Sequence, residues 1–427
     1  MKESTQELLD FIDSSTSPYH TVLTAEKLLE TYGFQELKQE EAWALEPEGR
    51  YYVNVFGSAL VAFRTGQMGQ PGLKIAAAHT DFPCFRIKPA AEIRKEGYGQ
   101  LNVEGYGGML VSTWLDRPLS LAGKVVTKGN DPFHPVTYLV DFRRPLLTMA
   151  NLAIHMNREV NDGYKWNKQK DVLPLFTLLG DKDTKEPFFQ EFLAKELSME
   201  AKDILSFELS AYPVEQGCLL GLNNEFLSCG RLDNLTSVKG CLDGLVKSEG
   251  ENGLRIAALF DNEEVGSNTK QGADSLVLLN LLRRIYQTLG FEEETLYQDL
   301  STGFMLSVDV AHAIHPNYTD KCDPTNKPVL GGGVVLKQAA SQSYAGDAEA
   351  VAVVKELCQQ NGISHQSFVN RNDIRGGSTL GSMLSALVPV RTMDIGVPLL
   401  AMHSARETMA AADQDALADC LTAFFAG

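Results

Sequence analysis

The stretch "IAALFDNEEVGS", residues 256–267, runs an unbroken apolar string into Asp261, Asn262, Glu263 and Glu264. A short apolar run closed by polar residues reads as a buried strand whose carboxyl end opens onto solvent or onto a site. In open α/β sheets that end is where ligands bind. The surrounding pattern agrees with such a sheet. A helix over 235–247 precedes the strand, a helix over about 275–289 follows it, and "FMLSVDVAHA", 304–313, returns as strand. A helix around 348–360, the strands "ISHQSFV", "LVPVRTMDI" and "GVPLLAMHS", and a closing helix "DQDALADCLTAFFA" complete the alternation.

Upstream, Leu8, Leu9, Phe11 and Ile12 form one helical stripe, and Val22, Leu23, Ala25, Leu28, Leu29 and Tyr32 form a second. Between them "SSTSPYH" carries a proline expected to stop the first helix. Two β-like runs follow, "YYVNVFGSALVAFRTG" and "GLKIAAAHTDFP", the latter ending in His79, Thr80 and Asp81. From about Cys84 the texture changes to glycine-rich β segments, a polar stretch "NREVNDGYKWNKQKD" and a helical "EPFFQEFLAKEL". The expected architecture is an α/β domain made of 1–83 and 213–427, interrupted by an inserted β-rich unit over 84–212.

Composition sets limits on partners and compartment. At 427 residues and 44% hydrophobic content the chain can bury a large core, and it is long enough for two or three units. A formal net charge of -17 argues against nucleic acid and against anionic membrane surfaces, both of which need a basic face. The seven cysteines are scattered and never form CxxC, a pattern of reduced thiols in the cytoplasm, most of them as small core residues. No apolar run reaches the roughly 20 residues that span a bilayer.

Five places share one description, a ligand-type residue just after an apolar strand: His79 with Asp81, Asp233, Glu263 with Glu264, Asp309, and His403. Singly each is weak, since a carboxylate there is more often a helix cap and a lone histidine is more often structural. Together they put two imidazoles and several carboxylates at one edge of the expected sheet, which favours a metal centre. Nitrogen and oxygen donors without cysteine suit zinc, manganese or cobalt in a catalytic site. One carboxylate shared between two ions about 3.5–4 Å apart would let five ligands serve both. A bridging hydroxide and an adjacent carboxylate acting as base would then complete a hydrolytic site. In an extended strand end Glu263 and Glu264 would point opposite ways, one to metal and one to substrate.

The segments "AAHTDFPCFRIKP", "STWLDRPLSLAGKVV", "NLAIHMNREVN", "NEFLSCGRLDNLTS", "FDNEEVGS", "SVDVAHAIHPNY", "VNRNDIRGGSTLG" and "DIGVPLLAMHSARE" span nearly the whole chain. In this order they resemble the aspartyl aminopeptidase family of co-catalytic dinuclear zinc metallopeptidases. The resemblance implies a three-layer α/β/α metallopeptidase domain with an inserted oligomerisation domain. It also implies two divalent ions per subunit, zinc foremost with manganese or cobalt as alternatives. Asp233 would bridge them, His79 and Asp309 would complete one ion's ligands, and Glu264 and His403 the other's. Glu263 would be the general base, and Asp81 would orient His79.

The inserted domain would drive assembly into a tetrahedral dodecamer built from dimers, lending His155 to a neighbour's site. Without the resemblance, His155 in its apolar context would be assigned to the core, and Lys337 to the surface. With it, Lys337 matches a lysine that contacts bound ligand. His312 and His315 either line the pocket or are structural. Phe82, Arg375 and Gly376 depart from the commoner family residues close to the site, which bears on side-chain preference.

The leading expectation is an exopeptidase acting on peptides with N-terminal Asp or Glu. Alternatives are a neutral N-terminal preference, a deacylase using the same chemistry on N-blocked substrates, or a non-catalytic assembly protein. The "GGG" at 331–333 lacks the spacing of a phosphate-binding P-loop.

Overall fold

The computed structural model describes residues 3–66, 72–180, 187–250, 253–374 and 376–427; Arg375 lies outside them. The chain divides into two compact units. The first comprises Met1–Asp81, Gly217–Met402 and Glu407–Gly427, and the second Phe82–Gln216 with His403–Arg406.

The first unit is built on a nine-stranded sheet. Its strands lie in the order Gln35–Glu36, Arg50–Val55, Ala59–Arg64, Leu254–Phe260, Leu73–His79, Phe304–Val308, Arg391–Gly396, Val334–Gln338 and His365–Val369. The four strands Leu254–Phe260, Leu73–His79, Phe304–Val308 and Arg391–Gly396 run parallel, with Phe260 opposite His79 and Val308 opposite Ile395. Val334–Gln338 turns against them. All seven residues of Leu254–Phe260 are buried, as a strand covered on both faces requires.

Side-chain alternation splits these strands between two layers. Leu73, Ile75 and Ala77 join Ile256, Ala258 and Phe260 in a core with Leu278, Leu281, Leu282 and Ile285 of the helix Val277–Thr288. The opposite face carries Ala76, Ala78 and Ala257, and the helix Leu232–Lys247 packs against these strands. That helix lies close to Ala411–Ala426: a Cβ on Gly244 would stand 2.8 Å from the Leu421 carbonyl carbon, so only glycine admits this approach. The result is the expected α/β class with helices on both sheet faces.

Two local expectations change. Pro18 does not end the first helix, which closes at Ser14; it opens the second, Pro18–Thr31, with Ser17 as N-cap. A proline at the first helical position has no N–H to waste and a pre-set φ. "LVPV" is not strand, because Leu387 closes the helix Leu380–Leu387 and Pro389 has no N–H to give a ladder.

The glycine-rich 331–333 loop does hold an anion, but an internal one. The buried Asp413, in the first turn of Ala411–Ala426, accepts the N–H of Gly331 and that of Gly333, each at 2.8 Å. Burial pushes this carboxyl up to about 6, while the two N–H donors pull the other way. Replacing Asp413 by Ala orphans two N–H groups and should cost about 2–4 kcal/mol in denaturant unfolding. The raised value means that protonation favours the folded state, so this group's contribution is full near pH 4 and is lost as pH rises through 6. Wild type should therefore gain stability over Asp413→Asn as pH falls across that window.

The second unit is a six-stranded antiparallel sheet. Its order is Val136–Asp141, Leu119–Thr127, Ile204–Pro213, Cys84–Lys95, Tyr98–Tyr106 and Leu175–Leu178. Its core includes Phe85, Leu121, Val125 and Leu193, with Phe85 packed edge-on against Trp114 at 5.3 Å. Among the described residues no helix is long and apolar enough to cross a membrane. None of the seven cysteines is in a disulfide, and Cys84, Cys229, Cys241, Cys358 and Cys420 are buried.

Candidate metal centre

Parallel neighbours deliver the candidate ligands to one sheet edge. His79 is the last residue of its strand, the Asp261–Glu264 corner follows Phe260, and Asp309 follows Val308. Asp233 arrives separately, where the chain leaves the strand Phe226–Cys229 and turns through Arg231 at φ 63°. Asp233 and Asn234 themselves have non-helical backbone angles, so regular helix begins only after them.

His79 is 1% exposed and sits at the centre of the cluster. Its Nε2 lies 3.5 Å from Asp233 Oδ1, 3.7 Å from Asp309 Oδ1 and 3.9 Å from Glu263 Oε2. Its Nδ1 faces Asp81, 3.0 Å from the backbone oxygen and 3.3 Å from Oδ1. Burial alone would lower the His79 pKa, but Asp233, Asp309 and Asp81 hold it well above the ordinary value. Glu263 is pushed up to about 8 by burial; His79 opposes that rise, and Asp309, Asp81 and Asp233 add to it.

Asp81 does more than face His79. Its Oδ1 accepts the Glu263 N–H and its Oδ2 the Glu264 N–H, both at 3.1 Å. The corner is not the extended strand end expected. Asn262 adopts φ 65° and Glu263–Val265 form a 3-10 turn, whose roughly 120° per residue separates the two glutamate side chains instead of pleated alternation. Left-handed residues of this kind cost about 1–3 kcal/mol and persist where surrounding bonds enforce them. Here the Ser267 N–H to Asn262 carbonyl bond of 2.8 Å and the two Asp81 bonds do so.

Further contacts fix the remaining acids. The Asp233 N–H donates to Glu407 Oε2 at 3.1 Å, and Asn234 Nδ2 donates to the Val308 carbonyl at 2.9 Å. Asp309 is tied by its own N–H to the Ile395 carbonyl at 2.8 Å. Lys337 is 2% exposed, so its surface assignment is corrected. It donates to the carbonyls of Asp309 at 3.2 Å and Val310 at 2.9 Å, and its Nζ is 3.5 Å from Asp309 Oδ2. Burial works against its charge, and Asp309 and Asp394 more than offset it, raising the pKa. Glu407, Asn234 and Asp394 escaped the sequence reading. A buried carboxylate inside an apolar strand, as Asp394 is in "RTMDIG", was the available signal.

His403, in the second unit, has φ 65° and places Nδ1 2.8 Å from the Gly108 carbonyl. His155 is exposed within the turn Ile154–Met156, where Ile154 (46%) and Met156 (69%) are exposed too. This corrects its core assignment: an apolar neighbourhood in sequence is here an apolar surface. His312 is exposed with its ring 6.1 Å from Phe368, and His315 is 5.1 Å from Tyr318. Phe82 is buried at 3% and Gly376 is half-buried.

His79, Asp233 and Asp309 each offer a ligand atom, all within 4.8 Å of one another, and so do His79, Glu263 and Glu264. Carboxylates crowded so closely around one imidazole repel each other at low dielectric, and a divalent cation offsets that repulsion. The donor set therefore fits zinc.

The family model of aminopeptidase I zinc metalloproteases (M18) matches residues 11–425. A protein from Clostridium novyi (strain NT), described as a probable M18 family aminopeptidase 2, is 47% identical over 404 residues, covering 94% of this chain and 93% of its own. Among solved structures, that of the Ape4 and Nbr1 complex superposes with a TM-score of 0.95 at 35% identity, covering 99% of this chain and 85% of that one. The S. cerevesiae mApe1 dodecamer gives 0.85 at 26% identity, with 99% and 96% covered. With the matched length, the shared fold and the clustered donors in agreement, the chain belongs to the M18 family of aminopeptidase I zinc metalloproteases.

Proposed function

We propose that this aminopeptidase removes single N-terminal residues, Asp or Glu by preference, from short peptides, using two zinc ions. The observation carrying this reading is the convergence of Asp233, Glu263 and Asp309 within 3.9 Å of His79 Nε2 at the carboxyl edge of the parallel strands. Asp233, His79 and Asp309 would hold one ion, and Asp233, Glu264 and His403 the other. When bound, the ions would supply polarisation of the scissile carbonyl and acidification of water. Glu263, raised by burial, is suited to take a proton from the attacking water and return it to the leaving amine. Asp81 fixes the ring of His79 and the peptide units of both glutamates.

Lys337 would supply positive potential to an acidic N-terminal side chain against the overall charge of -17. A neutral preference is the competing reading, supported by the commitment of the Lys337 ammonium to Asp309 and Val310. Hydrolysis of N-terminal Asp, Glu, Leu and Ala reporters, with and without chelator, separates the two. The proposal expects chelator-sensitive cleavage favouring Asp and Glu, and rejection of N-blocked substrates; cleavage that survives complete metal removal overturns it.

Self-association into a tetrahedral dodecamer built from dimers belongs to the same proposal, as does action in the cytoplasm. The second unit exposes Phe133 (89%), Met156 (69%) and Leu178 (76%), apolar side chains that a partner surface would cover. The related mApe1 is described as a dodecamer. Exposed His155 is then available to a neighbouring subunit.

A further inference from the structure

A cavity of about 690 Å³ lies in the first unit, between the loops that follow the strands Val334–Gln338 and His365–Val369. Its volume is that of a small-molecule site, about 300–1,000 Å³. Its lining is mixed: the polar Ser341, Ser343, Asn370, Arg371, Asn372 and Ser378 stand beside apolar residues such as Val369 and Ile374. The one cation among these six is neutralised, because Arg371 places Nε and Nη2 on the two carboxylate oxygens of Asp373 at 2.6 and 2.9 Å and donates Nη1 to the Asp320 carbonyl. Among the described residues, these six therefore offer hydrogen bonds without net charge.

Asn370 connects this cavity to the metal centre. Its Nδ2 donates to the Tyr344 hydroxyl at 3.3 Å, Tyr344 is buried, and the Lys337 ammonium lies 4.9 Å from the Tyr344 ring centroid. Lys337 in turn holds Asp309. Gly376 sets the amide's place: a Cβ there would stand 2.2 Å from Asn370 Nδ2 and 2.6 Å from its Cγ, so any side chain displaces the amide. With one N–H committed to Tyr344, the amide keeps a second N–H and a carbonyl oxygen for an occupant.

We propose that this cavity receives an uncharged hydrogen-bonding portion of the peptide substrate, and that Asn370, positioned by Gly376 and Tyr344, is its specificity-determining residue. The inference rests on the aminopeptidase reading. Two parts of a substrate carry this chemistry, a polar N-terminal side chain and the peptide units beyond the scissile bond. A site built to hydrogen-bond its substrate discriminates against analogues lacking the partner.

The test compares wild type, Asn370→Ala, Asn370→Ser and Gly376→Ala, each checked for zinc content and melting temperature. Substrates are coumarin amides of Asn, Asp and Leu, and the tripeptides Leu-Ala-Ala and Leu-Ser-Asn. Loss of one neutral hydrogen bond predicts a KM about three- to tenfold higher with kcat nearly unchanged. If the N-terminal side chain occupies the cavity, the Asn amide suffers and the Leu amide does not. If the following residues occupy it, both tripeptides suffer and all three coumarin amides are spared. Gly376→Ala should reproduce either pattern, and Asn370→Ser should recover part of the loss. Uniform change across every substrate, or no change in any, overturns the assignment while leaving the aminopeptidase reading intact. Wild type without chelator-sensitive release from any substrate overturns both.

Discussion

Replacing Glu263 by Gln is expected to lower kcat by about 100- to 10,000-fold, the range associated with a positioned general acid–base, while bound zinc stays at the wild-type level. The amide keeps the size and the backbone bonds of the glutamate, since the contact to Asp81 is made by the residue 263 N–H and not by its side chain. What it loses is the capacity to hold and release a proton. In the assigned scheme Glu263 binds no metal, so metal analysis and turnover should separate. Loss of zinc in parallel with activity would make Glu263 a ligand; full activity would remove it from the chemistry.

The second large effect concerns Asp233. Asp233→Ala should retain little zinc and fall to near-background turnover, because the proposed shared ligand serves both ions. A readout independent of activity is thermal stability. Wild type stripped of metal carries Asp81, Asp233, Glu263 and Asp309 around His79, and their mutual repulsion opposes folding. Returning zinc at about a thousandfold over its dissociation constant should contribute about 4 kcal/mol to the native state. The melting temperature of wild type should rise accordingly, and that of Asp233→Ala should not. Equal response in both proteins would contradict the bridging assignment.

Much of the α/β frame was legible because its strands are buried on both faces, and such runs as "IAALF" and "KIAAA" stand out by composition. The helix 348–360 could be read from its stripe, and the structure gives Ala348–Gln360 with Asp347 as its cap. What sequence left hidden were features of non-local origin. Lys337 looks solvated until Asp309, 28 positions away, supplies its carbonyl and carboxylate. Asp413 looks like an ordinary first-turn acid until the loop 331–333, about 80 positions upstream, presents two amides. His155 erred in the other direction, because hydrophobic neighbours promise burial only when something in the same unit covers them. The glutamate corner failed for a local reason: Asn262 can adopt left-handed backbone, and that single residue converts a pleat into a turn.

The threefold engagement of Asp81 has a consequence for redesign. Because the one carboxylate grips the imidazole of His79 and both amides of the neighbouring corner, these parts share a common pivot and drift together. Grafting the 262–265 corner onto another scaffold without its partner strand end would leave it without that pivot. Residues 79–81 and 262–265 should be transplanted as a matched pair, and shuffled libraries that cross between them should yield mostly inert chimaeras.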